Sequence, residues 1–207
     1  MPFKFRHKEE LPKLLRGTEE FKITSYNTKE INKQLLEKLI SFDTRCFPVT
    51  SKEDSKYDFE NSNRAYVATN NSGEIIGMLV QEPKGRSKAY ITTVCVSESE
   101  RGKQLYQELL RSCILGAISD NIGTIKGHTQ NAKVEYGLKR VLDNLITENK
   151  IDKYTIKRKM KKGYFDDWYG RPAGLADLKS NSEELNRIYG ALGRTDAFLL
   201  ILHIWPH

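Results

Sequence analysis

The chain has 207 residues, with 34 Lys and Arg against 27 Asp and Glu, a net charge of +7 and a pI near 9.2. With 38% hydrophobic and 29% charged residues, it has the make-up of an ordinary globular protein that can bury a substantial core. The charged start from Met1 to Glu10 does not read as a secretion signal, and the longest apolar run, Ala197 to Ile204, is far short of the ~20 residues that span a bilayer.

Residues 1–20 read as a charged leader and 21–207 as one domain. Phe21 to Tyr26 alternates like a half-buried strand. Asn27, with Glu30 three residues on, predicts a helix start, followed by an apolar face of Ile31, Leu35, Leu36, Leu39, Ile40 and Phe47 that stops at Pro48. Ala65 to Gln81 reads as two strands joined by a turn at Asn70 to Gly73. Ala89 to Val96 predicts a strand, which runs through an Arg101-Gly102 turn into a helix with Leu105, Leu109, Leu110, Cys113, Ile114, Ala117 and Ile118 on one face.

Ile125 to Asn131 predicts a further strand. Asn131 then caps a helix whose buried face is Val134, Leu138, Val141, Leu142, Leu145 and Ile146. Lys153 to Lys162 carries much of the basic excess and reads as a helix capped by Gly163, with a solvated charged face or a contact for an anion. Residues 165–172 read as an irregular loop, and Asp196 to Ile204 as a buried closing strand. The odd count of Cys46, Cys95 and Cys113, each among apolar residues and without metal-like spacing, predicts reduced thiols, no metal site and an intracellular (cytoplasmic) home.

The strand, Arg-Gly turn and helix at residues 89–118 aim unpaired backbone N–H groups and the positive end of a helix at one point, which suits a phosphate or pyrophosphate. The six residues Arg101-Gly102-Lys103-Gln104-Leu105-Tyr106 resemble motif A of the GNAT acetyltransferase superfamily, a strand followed by Arg/Gln-x-x-Gly-x-Gly/Ala and a helix. That resemblance implies an α/β fold with a mixed central β-sheet flanked by about four main helices, and splayed strands around a CoA cleft. It also implies acetyl-CoA as cosubstrate, its pyrophosphate on the backbone of Arg101 to Tyr106 and its pantetheine on main-chain groups of Val94 and Val96. Gln104 and Tyr106 depart from the small residues of the pattern. Loop amides survive a side chain at Gln104 if its dihedrals stay right-handed, whereas φ > 0 there would be costly.

A closer resemblance, to protein N-terminal acetyltransferases, rests on Tyr90-Ile91-Thr92-Thr93, on His128-x-Gln130-Asn131 and on Cys46-Phe47-Pro48-Val49. It implies that Tyr90 and His128 hold a water that takes the proton from the amine. Phe47, Pro48 and Val49 would line the pocket for the first residue of a peptide, and Asn131 would be a helix cap that also meets the cofactor. The chemistry suits an α-amine. At neutral pH an α-amino group with a pKa near ~8 is about a tenth neutral, whereas a lysine at ~10.4 is almost wholly charged and calls for a stronger base. The strand carries Thr92 and Thr93 where lysine-acting relatives carry a carboxylate.

The usual closing motif of the family, Tyr-x-x-x-Gly-Phe, is weakly matched at Met160 to Tyr164, with Lys159 in the Tyr position, in an enlarged region at about 131–180. Tyr154, Tyr164 and Tyr169 are the candidates for a general acid. The expected activity is acetyl transfer to a primary amine, favouring a protein or peptide, by direct attack in a ternary complex. Two alternatives stay open: a non-catalytic relative that binds acyl-CoA or a protein partner, and an RNA-associated enzyme acting on aminoacyl-tRNA.

Overall fold

In the computed structural model, residues 21–47, 50–164, 180–192 and 197–206 are described. The leader at 1–20, Pro48 and Val49, and the predicted loop at 165–172 with Tyr169 all lie outside them.

Seven strands form one mixed sheet in the order β1-β2-β3-β4-β5-β7-β6. They are β1 (Phe21–Asn27), β2 (Arg64–Asn70), β3 (Ile75–Pro83), β4 (Lys88–Val96), β5 (Thr124–Thr129), β6 (Ile151–Lys161) and β7 (Ala197–Pro206). All neighbours run antiparallel except β4 and β5, which are parallel. The described helices are α1 (Lys33–Cys46), α2 (Lys52–Asn61), α3 (Leu105–Ser119), α4 (Ala132–Thr147) and α5 (Glu183–Gly190).

Two apolar layers sandwich the sheet. On one face Leu39 and Phe42 of α1 and Phe59 of α2 pack on Ala65, Val67, Met78, Val80 and Cys95. On the other, Leu109, Leu110, Cys113 and Ile114 of α3 and Leu138, Val141, Leu142 and Leu145 of α4 close over Tyr66, Leu79, Ile125, Leu200 and Leu202. The predicted faces of α3 and α4 are largely the buried ones, except that Ile146, in the last turn of α4, is exposed, and the three cysteines are free thiols.

Three expectations need correction. Asn27 does cap a turn, its Oδ1 accepting from Lys29 N, but that turn is a single 3-10 turn at Thr28–Glu30. The helix proper starts after a second cap, Asn32, which accepts from Leu35 N. The described helices number five, because α2 and α5 join α1, α3 and α4 while the fourth predicted helix is a strand; α2 is held at its start by a reciprocal capping box between Ser51 and Asp54.

The largest correction is at Lys153 to Lys162, which is not a helix but most of β6, paired along its length with β7. Tyr154, Ile156 and Arg158 alternate with exposed Lys153, Thr155, Lys157 and Lys159, a period of two that the density of lysine masks. Gly163 therefore caps no helix; it lies in the turn after the strand with φ +61°. Helix α5 lies between β6 and β7.

Candidate active site

β4 and β5 pair only from Lys88 to Tyr90 and from Thr124 to Lys126, then part. The remainder of β4 bonds to β3 on one side and opens a gap on the other. Ser97 N–H donates to Ile76 O, so by the alternation of an antiparallel ladder the main-chain groups of Val94 and Val96 point away from β3, into that gap.

Tyr90 ends the paired stretch and His128 lies two residues beyond it on β5. The Tyr90 hydroxyl is 2.5 Å from His128 Nδ1, and the Tyr164 hydroxyl is 3.2 Å from that of Tyr90. The Tyr164 ring also stacks on His128, 3.8 Å between centroids and 14° from parallel. Tyr90 and His128 thus touch directly, with no room for a water between these two atoms, and a water serving both would sit beside the pair. Of the two described tyrosines considered as acids, Tyr164 stands at the dyad, whereas Tyr154 donates to Asp143 at 2.8 Å.

The electrostatics keep both members of the pair neutral. Burial, helped by the charge of Lys161, pushes His128 down to about 4, so the imidazole is uncharged at neutral pH. Burial, then the hydrogen bond with Tyr164, raises Tyr90 well above the ordinary phenol value and keeps its proton on. His128 Nε2 is buried without a hydrogen-bond partner among the described residues. If Tyr90 donates to Nδ1, Nε2 carries the imidazole proton; in the other tautomer Nε2 is an open acceptor.

Carboxylates missed in the sequence approach from α1 and α2. Asp43 is 2% exposed and accepts from Ser55 Oγ at 2.6 Å and from Thr93 Oγ1 at 3.1 Å. Burial raises its pKa despite those bonds. Thr93 therefore brings a carboxylate to the strand that lacks one of its own. Asp58 is pushed up to about 6, by burial first and then by the charges of Asp43, Glu82 and Asp54, and its charge is felt at Tyr90. Single acidic residues in amphipathic helices give no signal of this in a sequence; only their packing against one another does.

The loop before α3 departs from the right-handed expectation. Gly102 has φ +86° and Gln104 has φ +67°, with Lys103 between them at negative φ. Such alternation turns successive amides into an anion-binding concavity, and a left-handed Gln costs about 1–2 kcal/mol. The first helical bonds run from Gln107 and Glu108 to Gln104 O, so the amides of Leu105 and Tyr106 precede the ladder. Arg101 and Lys103 pair with Glu98 and Glu100 at 3.4 and 3.3 Å. Tyr106, at the second small-residue position, turns away from the loop. Its ring fills the space that a Cβ on Gly137 of α4 would need, 3.0 Å from Cε1, and its hydroxyl bonds Val134 O.

Asn131 caps α4, Oδ1 accepting from Lys133 N at 2.9 Å. Phe47 ends α1 and packs against the α1–α2 core layer, leaving Pro48 and Val49 outside the described residues. Among those residues no helix is long and apolar enough to cross a membrane.

A family model described as the Acetyltransferase (GNAT) family matches residues 32–132. Among solved structures, a GNAT family acetyltransferase from Elizabethkingia anophelis with acetyl-CoA bound is 20% identical, with 88% of this chain and 97% of that one covered and a TM-score of 0.55. An acetyltransferase of Bacillus subtilis in complex with CoA is 17% identical (88% and 98% covered, TM-score 0.57). The ribosomal-protein-S18-alanine N-acetyltransferase of Escherichia coli is 14% identical (90% and 96% covered, TM-score 0.58). A search of curated proteins found no match. The fold is that of the GNAT acetyltransferases.

Proposed function

We propose that this protein is an acetyl-CoA-dependent N-acetyltransferase whose acceptor is a protein or peptide amine, an α-amine above all. The observation that carries the reading is the parting of β4 and β5 immediately beyond Tyr90, with Val94 and Val96 facing the gap and the α3 loop at its end. Open main-chain groups on β4 suit the amides of a pantetheine arm and a donor to the thioester carbonyl. The concavity from Arg101 to Tyr106, with a helix N-terminus behind it, suits a pyrophosphate. Neighbours of the same fold hold acetyl-CoA or CoA.

The amine attacks the thioester carbonyl, a C–N bond forms, the C–S bond breaks, and CoA leaves as its thiolate. The amine must be neutral to attack and must shed a proton afterwards. His128, held uncharged with its Nδ1–H donating to the Tyr90 oxygen, receives that proton on Nε2 directly or through a water, and Tyr90 fixes the imidazole in this tautomer. Tyr164, stacked on His128 with its hydroxyl beside that of Tyr90, would return a proton to the leaving sulfur. Phe47, Pro48 and Val49 remain the proposed lining for the first residue of the acceptor. A domain spanning 21–207 behind a separate leader, within the cytoplasm, completes the proposal.

The second reading is a relative that binds acyl-CoA or a partner without turnover. The left-handed Gln104 and the two glutamates on the loop's cations favour it. Calorimetric titration with acetyl-CoA, followed in the same sample by thiol release with a panel of peptides and amines, separates the two. Micromolar binding with thiol release supports the transferase. Binding with no release on any acceptor supports the second reading, and no binding removes the transferase and leaves only a partner-binding form of the second reading.

A further inference from the structure

Cross-strand partners share a face of the sheet, and the registers of β4, β5, β7 and β6 define one such face completely. It carries Lys88 and Tyr90 on β4, then Thr124, Lys126 and His128 on β5. Beyond them stand Ala197, which is fully buried, then Leu199, Ile201, His203 and Trp205 on β7, and Lys153, Thr155, Lys157, Lys159 and Lys161 on β6. Helices α1 and α2 cover this side of the sheet over β2, β3 and β4. Over β5, β7 and β6, the core residues of α4 and α5 all belong to the opposite layer, so no described helix covers the lysine-bearing side.

The composition of this face, which no described helix covers, is one-sided. It bears six lysines, and the only acidic residue on the four strands is Asp152, which sits at the irregularity between Ile151 and Lys153. The lysines of β6 extend over about 26 Å, at roughly 3.3 Å per residue. At the outer end Trp205 is 40% exposed, with Lys153 Nζ 5.0 Å from its ring centre and the His203 ring 6.2 Å away. At the inner end Lys159 and His128 flank the same residue, Leu199, and Lys161 is close enough to affect the charge of His128. A basic strip with a partly exposed aromatic at its outer end, laid on one face of a sheet, matches how single-stranded nucleic acid is held: phosphates on cations and a base on a ring.

We propose that this face binds RNA, with the strand's phosphates along Lys153, Lys157 and Lys159 and a base on Trp205, leading one end of the chain toward Tyr90 and His128. An acidic peptide would use the lysines but has no need of the exposed indole, which is why RNA is favoured. The inference stands apart from acetyl transfer, since binding requires no cosubstrate.

Fluorescence polarisation of a labelled 20-nucleotide RNA of mixed sequence, without acetyl-CoA and from 50 to 200 mM KCl, tests it. Expected is saturable binding at ~50 mM salt that weakens steeply with salt, by a log–log slope of about −0.7 per phosphate held. Lys157→Glu with Lys159→Glu should weaken binding at least tenfold and flatten the slope by about 1.4. Trp205→Ala should weaken it roughly tenfold and leave the slope unchanged. No binding at ~50 mM salt, binding indifferent to the double variant, or displacement of RNA by polyglutamate at equal charge would each overturn the proposal, as would capture by anionic vesicles without RNA binding. Circular dichroism and acetyl-CoA titration of each variant check its fold. Failure of wild-type protein to bind acetyl-CoA would count against the transferase alone.

Discussion

The Tyr90 hydroxyl and His128 Nδ1 meet at 2.5 Å across the last paired residues before β4 and β5 separate. Two strands with different neighbours thus deliver one polar pair to the mouth of the gap. Because burial and Lys161 keep the imidazole neutral, the pair has a proton to hold and a site to accept one. His128→Ala and Tyr90→Phe should each lower kcat/KM for acetyl transfer by about 10²-fold, the low end for general acid–base groups. Acetyl-CoA affinity by calorimetry should stay within about threefold. A variant that loses affinity as much as turnover would instead assign these residues to cosubstrate binding.

The acid limb of the pH profile distinguishes His128 from its rival. A base titrating at about 4 stays ready throughout the working range. Expected is therefore a kcat/KM that falls with unit slope below the acceptor amine's own pKa of ~8, and keeps that slope down to pH ~5. Asp58, titrating at about 6, would add a second proton and steepen the limb below that point. Steepening that disappears in Asp58→Asn would move the base from His128 to Asp58.

Asp58 also makes a stability prediction with a definite sign. Its folded pKa lies above the ordinary 3.8, raised by burial and then by Asp43, Glu82 and Asp54. The folded state holds the proton more tightly, so stability is lost as pH rises from about 4 through 6. Asp58→Asn removes the charge. Its melting temperature should match wild type near pH 4 and exceed it above pH 6.5, as followed by thermal denaturation across that range. A constant offset at all pH values would mean the carboxylate is not under this strain.

Gln104 occupies a left-handed conformation where glycine is at ease. Gln104→Gly relieves about 1 kcal/mol of backbone strain and gives part of it back to the freer unfolded chain. Expected is a rise in melting temperature of about 1–3 °C with acetyl-CoA binding equal or tighter, checked by thermal shift and calorimetry. A drop in melting temperature would show that contacts of the Gln104 side chain outweigh the strain.

Much of this architecture was legible because several signals agreed over the same residues. Ala89 to Val96 reads as a strand, the apolar face from Leu105 to Ala117 has helical period, and Asn131 caps the next helix; all three stand in the structure. The pairing of Tyr90 with His128 rests on the resemblance of their motifs to a family, and the two side chains meet in the structure. What failed had a physical cause in each instance. On β6 the lysines sit on the exposed side of an edge strand, where solvent accepts charge, so composition hid a two-residue period. The φ of Gln104 is set by the turn and not by the residue in it. Asp43 and Asp58 acquire their character from the packing of α1 and α2 on β4, which no local pattern records.

The misread strand is fastened by one buried carboxylate. Glu135 of α4 is fully buried and accepts from Arg158 Nε at 2.7 Å and Nη2 at 2.5 Å, and from the Tyr189 hydroxyl at 3.0 Å, with Lys139 Nζ at 3.8 Å. Three elements, α4, β6 and α5, therefore converge on a single side chain. Glu135→Ala would leave the Arg158 guanidinium and the Tyr189 hydroxyl without their acceptor, and should destabilise the fold by about 3 kcal/mol, the low end for breaking a buried pair because Arg158 is partly exposed. Glu135→Gln keeps the shape and one acceptor and should cost less. Urea denaturation of the two variants checks the order. Equal, small losses would mean that Arg158 finds water instead and that α5 is held by its apolar face alone.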